Sequence, residues 1–301
     1  MAGSTLVPVR PVITGADRRT HGGAGTTPAP AVRPPPPALT RGVDIENTPS
    51  GALAASDKTS TGGPYPMTHY SPVTLVTGGG SGIGAAAARQ LLARGGRVAV
   101  TGRGAERLRR FARDAGDPPE LLTLPGDASD HEAVAEAVQA TLTAFGRLDA
   151  VVANAGFASH DDLATGDPAG WRDMVLTNVL GPALLIRSSL EALRETRGRI
   201  VIVGSVAGFV HTPGNIYGIT KWAMTGLAEN TRRMVTGDGI GVTLVAPGRT
   251  DTLFWDGMGG APEGMEMMTS DQVAESIVWA LNQPEGVDVN TVVMRPIGQP
   301  V

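Results

Sequence analysis

Tyr217 and Lys221 stand four residues apart in the stretch Tyr217-Gly218-Ile219-Thr220-Lys221. On a helix that spacing sets a phenol and an ammonium on one face, one turn apart. A phenol titrates near ~10 in water, so near neutrality it donates a proton, and it becomes a base only where a nearby positive charge favours the phenolate. The pair is therefore a candidate proton-transfer device. Alone, the same spacing also describes a half-buried ring beside a solvated ammonium, and the context decides between the two. Ser205 closes the apolar run Ile200-Val201-Ile202-Val203, twelve residues before Tyr217. A serine there either caps the strand or, beside a phenol, serves a developing alkoxide.

The elements that must position these groups form an alternating series. Val73-Thr74-Leu75-Val76-Thr77 reads as a strand, the turn Gly78-Gly79-Gly80-Ser81-Gly82-Ile83-Gly84 follows, and a helix is predicted over 85–94. Strand, glycine turn and helix together make a phosphate cradle, because glycine admits a pyrophosphate close to the backbone and the helix start offers free N–H groups. A second strand, 97–101, ends at Gly102-Arg103. A carboxylate there would bind a ribose 2′-hydroxyl, whereas an arginine accommodates a 2′-phosphate, so the reading is NADP(H) rather than NAD(H). The other reading of Arg103 is a solvated charge leading into a helix over 105–115.

Further strands at 121–124 and 148–153 flank a helix at 129–145, which implies a parallel sheet covered on both faces with ligand beyond the strand ends. Two loops fall at that edge. Asp127-Ala128 offers a carboxylate to an adenine amino group, and Asn154-Ala155-Gly156 offers a small, close-approaching backbone; ordinary turns are the alternative for both. A long helix over 169–197 carries Asn178 and Pro182. Past a strand at 241–246 come Pro247-Gly248-Arg249-Thr250-Asp251-Thr252. Residues 253–268 read as a lid in which Phe254, Trp255, Met258, Met265, Met267 and Met268 either form an adaptable apolar pocket or pack the lid to the core. Thr269 to Gln272 is a capping box for the next helix, ending near Gln283, and the last strand is 289–294.

Taken together, Thr77-Gly78-x-x-x-Gly82-x-Gly84, Asn154-Ala155-Gly156, Asn178, Ser205, Tyr217-x-x-x-Lys221 and Pro247-Gly248 resemble the short-chain dehydrogenase/reductase family, over about residues 73 to 299. The resemblance implies an α/β fold: a single Rossmann-fold domain with a doubly wound parallel sheet of about seven strands. It implies a catalytic tetrad of Asn178, Ser205, Tyr217 and Lys221. Tyr217 would be the general acid in carbonyl reduction, with Ser205 on the substrate oxygen. Lys221 would hold the nicotinamide ribose and lower the tyrosine pKa, and Asn178 would fix a water that relays protons to Lys221. Cofactor contacts would come from Thr77, Gly78, Ser81, Gly82, Ile83, Gly84, Arg103, Asp127, Ala128, Asn154, Ala155, Gly156, Tyr217, Lys221, Pro247, Gly248, Thr250 and Thr252, the last on the nicotinamide carboxamide. Thr250 departs from the aliphatic residue usual in the family. The ending Arg295-Pro296-Ile297-Gly298-Gln299 resembles NADP-dependent members acting on hydroxy acids, amino alcohols or aldehydes. The family also implies a homodimer or homotetramer, often through the helices of Asn178 and Tyr217.

One detail of the relay follows from covalent chemistry. Pro182 has no N–H, so the carbonyl four residues earlier, that of Asn178, loses its helical partner and is open to a water. A harmless kink is the alternative. The expected protein is thus an NADP(H)-dependent enzyme acting on CH–OH groups, with a small carbonyl or secondary alcohol as substrate. The rivals are an NAD-dependent alcohol dehydrogenase and a non-catalytic dinucleotide sensor, the latter disfavoured because all four tetrad positions are kept.

Composition narrows the partners. The 301 residues include no cysteine, five scattered histidines and a net charge of -4. These exclude disulfides and thiolate chemistry, and argue against a metal and against nucleic acid. No apolar run reaches the roughly 20 residues of a membrane span, and the expected location is the cytoplasm. Residues 1–70 are rich in Pro, Gly and Thr, include Pro34-Pro35-Pro36-Pro37, and show no periodicity, so they read as a disordered tail. A secretory signal is rejected because Pro8 and Arg10 interrupt the apolar start, and a transit peptide is opposed by the prolines. The favoured explanations are a misassigned start, with Met67 as the true one, or a dispensable tail before a catalytic domain at 71–301.

Overall fold

Every residue of strand β1 (Val73–Thr77) is buried, as befits a strand at the centre of a sheet covered on both faces. Its side chains alternate between two apolar clusters: Leu75 packs with Leu185 and Ile200 on one face, and Val76 with Val100 and Ile277 on the other. The computed structural model describes residues 71–159, 161–258, 260–261 and 264–300, all within the unit Gly63–Val301. The expectations for residues 1–70 lie outside the described residues.

From β1 the chain runs through α1 (Gly82–Ala93), β2 (Arg97–Gly102), α2 (Ala105–Asp114), β3 (Leu121–Pro125), α3 (His131–Phe145) and β4 (Ala150–Ala153). There follow α4 (Pro168–Val175), a π-helical turn (Leu176–Leu180), α5 (Gly181–Thr196), β5 (Arg199–Val203), α6 (Ile216–Val235) and β6 (Gly241–Pro247). The short strands β7 (Thr250–Asp251) and β8 (Met268–Thr269), helix α7 (Ser270–Leu281) and β9 (Thr291–Met294) complete it. Seven strands form one sheet in the order β3-β2-β1-β4-β5-β6-β9, every neighbouring pair parallel. The order reverses between β1 and β4, which opens a crevice at their carboxyl ends. The expected seven-stranded, doubly wound single domain is what the described residues form.

Local signals account for most boundaries. Asp130 caps α3 by accepting from the N–H groups of Glu132 and Ala133. The predicted capping box closes as expected, Thr269 and Gln272 each bonding the other's backbone N–H. Helix α1 begins at Gly82 rather than near 85, since the glycines that read as turn also supply its first N–H groups. The long helix predicted over 169–197 is not uniform: at the π turn the N–H of Gly181 reaches back five residues to the carbonyl of Leu176. Pro182, which cannot donate, lies just beyond this change of register.

The glycine turn is packed without slack. A Cβ on Gly84 would sit 2.5 Å from Asn154 Nδ2 and 2.6 Å from the Gly78 carbonyl oxygen. Gly84→Ala would gain about 1 kcal/mol in helix propensity, less than the overpacking cost of about 1–3 kcal/mol plus the displaced Asn154 bonds. The variant should therefore unfold at lower urea concentration than the parent. An unchanged midpoint would show that the turn yields freely.

Candidate active site

The loops after the six strands β1 to β6 converge on one cleft of about 870 Å³. They bring Gly78, Arg103, Asp127, Asn154, Ser205 and Gly248 to its wall, and α6 adds Tyr217 and Lys221. The floor is braced by Thr77. Its hydroxyl accepts from the N–H groups of Asn154 and Ala155, 3.1 Å each, and donates to the Val152 carbonyl at 3.4 Å. The Asn154 side chain answers by donating to the carbonyls of Thr77 (2.9 Å) and Gly78 (3.3 Å). Gly78 has φ +66°, a conformation that favours glycine, and Thr252 lies against Gly82, its Cγ2 being 3.3 Å from where a Cβ would stand. Gly181 packs so tightly on the Asp127-Ala128 loop that a Cβ would meet the Ala128 carbonyl at 2.8 Å.

Asn178 is buried and works as a clamp on the next loop. Its Oδ1 accepts from Phe157 N–H (3.0 Å), and its Nδ2 donates to the Phe157 carbonyl (2.8 Å) and to Thr220 Oγ1 (3.1 Å). Thr220 in turn donates to the Tyr217 carbonyl at 2.7 Å. Asn215 caps α6 through the N–H of Gly218 at 2.8 Å, which fixes where the helix and its phenol begin. Ser205, expected at the strand edge, accepts from Ala207 N–H at 3.1 Å and hydrogen-bonds the Tyr217 phenol. Lys221 is 8% exposed, donates to the Val203 carbonyl at 3.1 Å, and stands 5.6 Å from the centre of the Tyr217 ring. The structure thus brings Asn178, Ser205, Tyr217 and Lys221 together.

The family profile described as short chain dehydrogenase matches residues 72–259. The chain belongs to the short-chain dehydrogenase family. An uncharacterized oxidoreductase of Staphylococcus saprophyticus is 32% identical over 230 residues, covering 75% of this chain and 97% of that protein. A second, from Staphylococcus epidermidis, is 29% identical over 227 residues, covering 75% and 97%. Among solved structures, the closed form of a serine dehydrogenase complexed with NADP+ superposes with a TM-score of 0.72 at 29% identity, covering 76% of this chain and 96% of that one. An alcohol dehydrogenase of the archaeon Thermococcus sibiricus, complexed with 5-hydroxy-NADP, gives 0.70 at 27% identity, covering 76% and 98%.

In this short-chain dehydrogenase one expectation needs correction. Proximity to Lys221 does not lower the phenol: burial pushes Tyr217 up to about 12, against the hydrogen bond with Ser205 that pulls it down, although part of its surface still opens on the cleft. The ammonium is itself perturbed, burial driving Lys221 down to about 8. Of the two readings of the lid, pocket wall and core packing, its described residues show both. Met268 is buried in the core below α7, Met267 faces a separate surface hollow, and the segment contributes Leu253, Phe254 and Trp255 to the cleft; the Met258 side chain lies outside the described residues. Phe254 leans on Tyr217 with ring centres 5.4 Å apart, and Trp255 meets Phe254 edge-on at 5.8 Å. Thr250, the departure from the family pattern, is buried; its hydroxyl donates to the Gly248 carbonyl (3.0 Å) and its own carbonyl accepts from Trp255 Nε1 (2.9 Å).

Other wall residues had no role in the sequence reading. Thr212 and Asn215 face the cleft from the loop before α6. Gln299 reaches it from the C-terminal turn, its Oε1 accepting from Arg249 N–H at 2.9 Å and filling the space over Gly248. Arg107, in the first turn of α2, also faces the cleft. Asp127 is pushed up by burial, but the Ser129 N–H and hydroxyl and the charge of Arg103 outweigh this and hold its carboxyl below the ordinary value.

The depressed Lys221 pKa has a stability consequence. Below about pH 8 the ammonium is charged in both folded and unfolded chains, so its desolvation cost is fully present. As pH rises from about 8 towards the unfolded value of ~10.4, the folded chain holds fewer protons than the unfolded one and stability rises. Lys221→Met should therefore be no less stable than the parent at pH 7, and the difference should shift in the parent's favour by pH 10. Urea unfolding at both pH values measures it; a large loss of stability at pH 7 would contradict the assignment.

Proposed function

We propose that this short-chain dehydrogenase is an NADP(H)-dependent oxidoreductase that moves a hydride between nicotinamide and a carbonyl or secondary alcohol, with Tyr217 as general acid and base. The observation that carries this is the phenol held by Ser205 and flanked by Lys221 at the mouth of a glycine-floored cleft. The residues fit a dinucleotide. Gly78, Ser81, Gly82, Ile83 and Gly84 leave backbone N–H groups without side-chain cover at the start of α1, as a pyrophosphate requires. Arg103 suits a 2′-phosphate, and Asp127 and Ala128 the adenine. Asn154, Ala155 and Gly156 would hold the ribose, and Pro247, Gly248, Thr250 and Thr252 would hold the nicotinamide end. When bound, the cofactor supplies or accepts the hydride.

The protein's own groups handle the proton. A phenol held near 12 is fully protonated at neutral pH, which suits carbonyl reduction: Tyr217 Oη gives its proton to the oxygen as the carbon is reduced, and Ser205 donates a hydrogen bond to the same oxygen. Lys221, buried and easily deprotonated, restores the proton through a water held at the Asn178 carbonyl. Pro182 cannot occupy that carbonyl, and the Asn178 side chain is already committed to Phe157 and Thr220. The substrate lies between Ser159, Thr212 and the Leu253-Phe254-Trp255 wall, a surface of hydroxyls and apolar groups fitted to a small alcohol or carbonyl. A second copy docks on the helices that carry Asn178 and Tyr217, where Leu180, Ile219 and Trp222 stand 40%, 54% and 44% exposed.

Tyr217→Phe should lower kcat about 10²–10⁴-fold while leaving NADPH affinity intact, measured by NADPH oxidation across a carbonyl panel and by fluorescence titration. A variant with near-parental kcat would refute the proton role. In the parent, kcat/KM should favour NADPH over NADH, and a preference for NADH would replace this reading with an NAD-linked alcohol dehydrogenase.

A further inference from the structure

The end of the cleft beyond β2 holds more positive charge than its own fold can use. Arg103 immediately precedes the N-cap of α2, Gly104, and Arg107 lies in that helix's first turn; both line the cleft. Cations at a helix N-terminus are disfavoured by the partial positive charge of the free N–H groups. Gly104 provides no side-chain cap to offset it. The acid that would offset it, Glu106, is turned away, bound to Arg109 at 2.8 Å and to Arg113 at 3.1 Å. Asp127, the one carboxylate on the cleft wall among the described residues, already accepts from the N–H of Ser129 at 2.9 Å and from its hydroxyl at 2.7 Å. Neither Arg103 nor Arg107 makes a hydrogen bond or short ion pair among the described residues.

Arg107 is also placed. Its Cγ lies 3.5 Å from the position a Cβ on Gly80 would take, so its aliphatic stem runs beside the glycine turn with no side chain to push it aside. Two guanidiniums therefore converge on the rim where β2 ends and the glycine turn passes. Such an arrangement is poorly balanced until a multiply charged anion sits in it.

We infer that Arg107 is a second phosphate ligand of this cleft, closing with Arg103 on the 2′-phosphate of the dinucleotide and sharing control of the preference for the phosphorylated cofactor. The inference rests on the NADP(H) reading. With Arg103 alone the phosphate would be held from one side; with Arg107 it is gripped between the β2 rim and the first turn of α2. Because both arginines oppose the helix dipole, their removal does not weaken the empty protein.

Calorimetric titration of the parent, Arg103→Gln, Arg107→Gln and Arg107→Lys with NADPH, NADH and adenosine 2′,5′-bisphosphate tests this. Arg107→Gln should weaken NADPH and the bisphosphate about tenfold or more and leave NADH affinity and the cofactor-free melting temperature unchanged. Arg107→Lys should recover part of the loss. If Arg107→Gln binds NADPH as the parent does while Arg103→Gln does not, the inference falls and the NADP(H) reading stands. If the parent binds NADH as tightly as NADPH, that reading falls and takes the inference with it. Equal losses for both cofactors, or a lowered melting temperature, would make Arg107 a structural residue and overturn the assignment.

Discussion

The hydroxyl of Thr77 ties the end of β1 to the start of the loop after β4, and the working part of the molecule hangs from that tie. It joins the two adjacent strands between which the strand order reverses. From there a continuous set of polar contacts runs across the cleft. Asn154 grips the first glycine of the turn, Asn178 grips Phe157 three residues on, Thr220 receives Asn178, and Thr220 bonds the carbonyl of Tyr217. The phosphate cradle and the phenol are therefore positioned by one connected network rather than by separate local structures. In such a network each group is fixed by a partner whose own place is fixed.

The same compactness makes the proton-transfer end costly. Lys221 is surrounded by protein with one carbonyl as its hydrogen-bond partner in this structure, and burial drives its pKa well below that of a free lysine. Tyr217 is displaced in the opposite direction. The free side chains titrate at nearly the same pH; here burial separates them to about 12 and about 8, so a proton passes downhill from the ammonium to the phenolate. Stability is given up at α6 for that effect, while α6 itself stays anchored by the Asn215 cap and its buried Met224 and Ala228.

Much of this was legible in the sequence because it rests on period and covalent chemistry. Val73 to Thr77 followed by glycines and an alanine-rich helix admits few other folds, and Thr269 with Gln272 marks a helix start unaided. The π turn was not legible. Pro182 announces a missing donor, but how the ladder re-forms around it depends on packing against Ala128 and Thr220. The methionines were left undecided for a related reason: thioethers suit a pocket and a core equally, and the short β7–β8 pairing turns Met268 inward. Gln299 belonged to an ending that hinted at a subgroup, but its contact with the cleft was not legible, since it depends on β9 lying beside β6 and folding the C-terminal turn back over Gly248.

Charge adds a level of organisation that no motif describes. The chain is acidic, at -4 overall, yet among the described residues the charged side chains on the cleft wall are Arg103, Arg107, Lys221 and Arg249 against the carboxylate of Asp127. A low-dielectric groove lined by one sign of charge concentrates its field outward through the mouth. An anionic dinucleotide approaching an acidic protein would be repelled by most of the surface and drawn to this one opening. The cations are also graded along its length: exposed guanidiniums at the β2 rim, where phosphate charge is greatest, and a buried, readily deprotonated ammonium at the phenol, where a fixed charge would hinder proton return. On the function proposed above, the cleft separates charge used for binding from charge used for proton transfer, and the glycine turn between them has no ionisable side chain to blur the two.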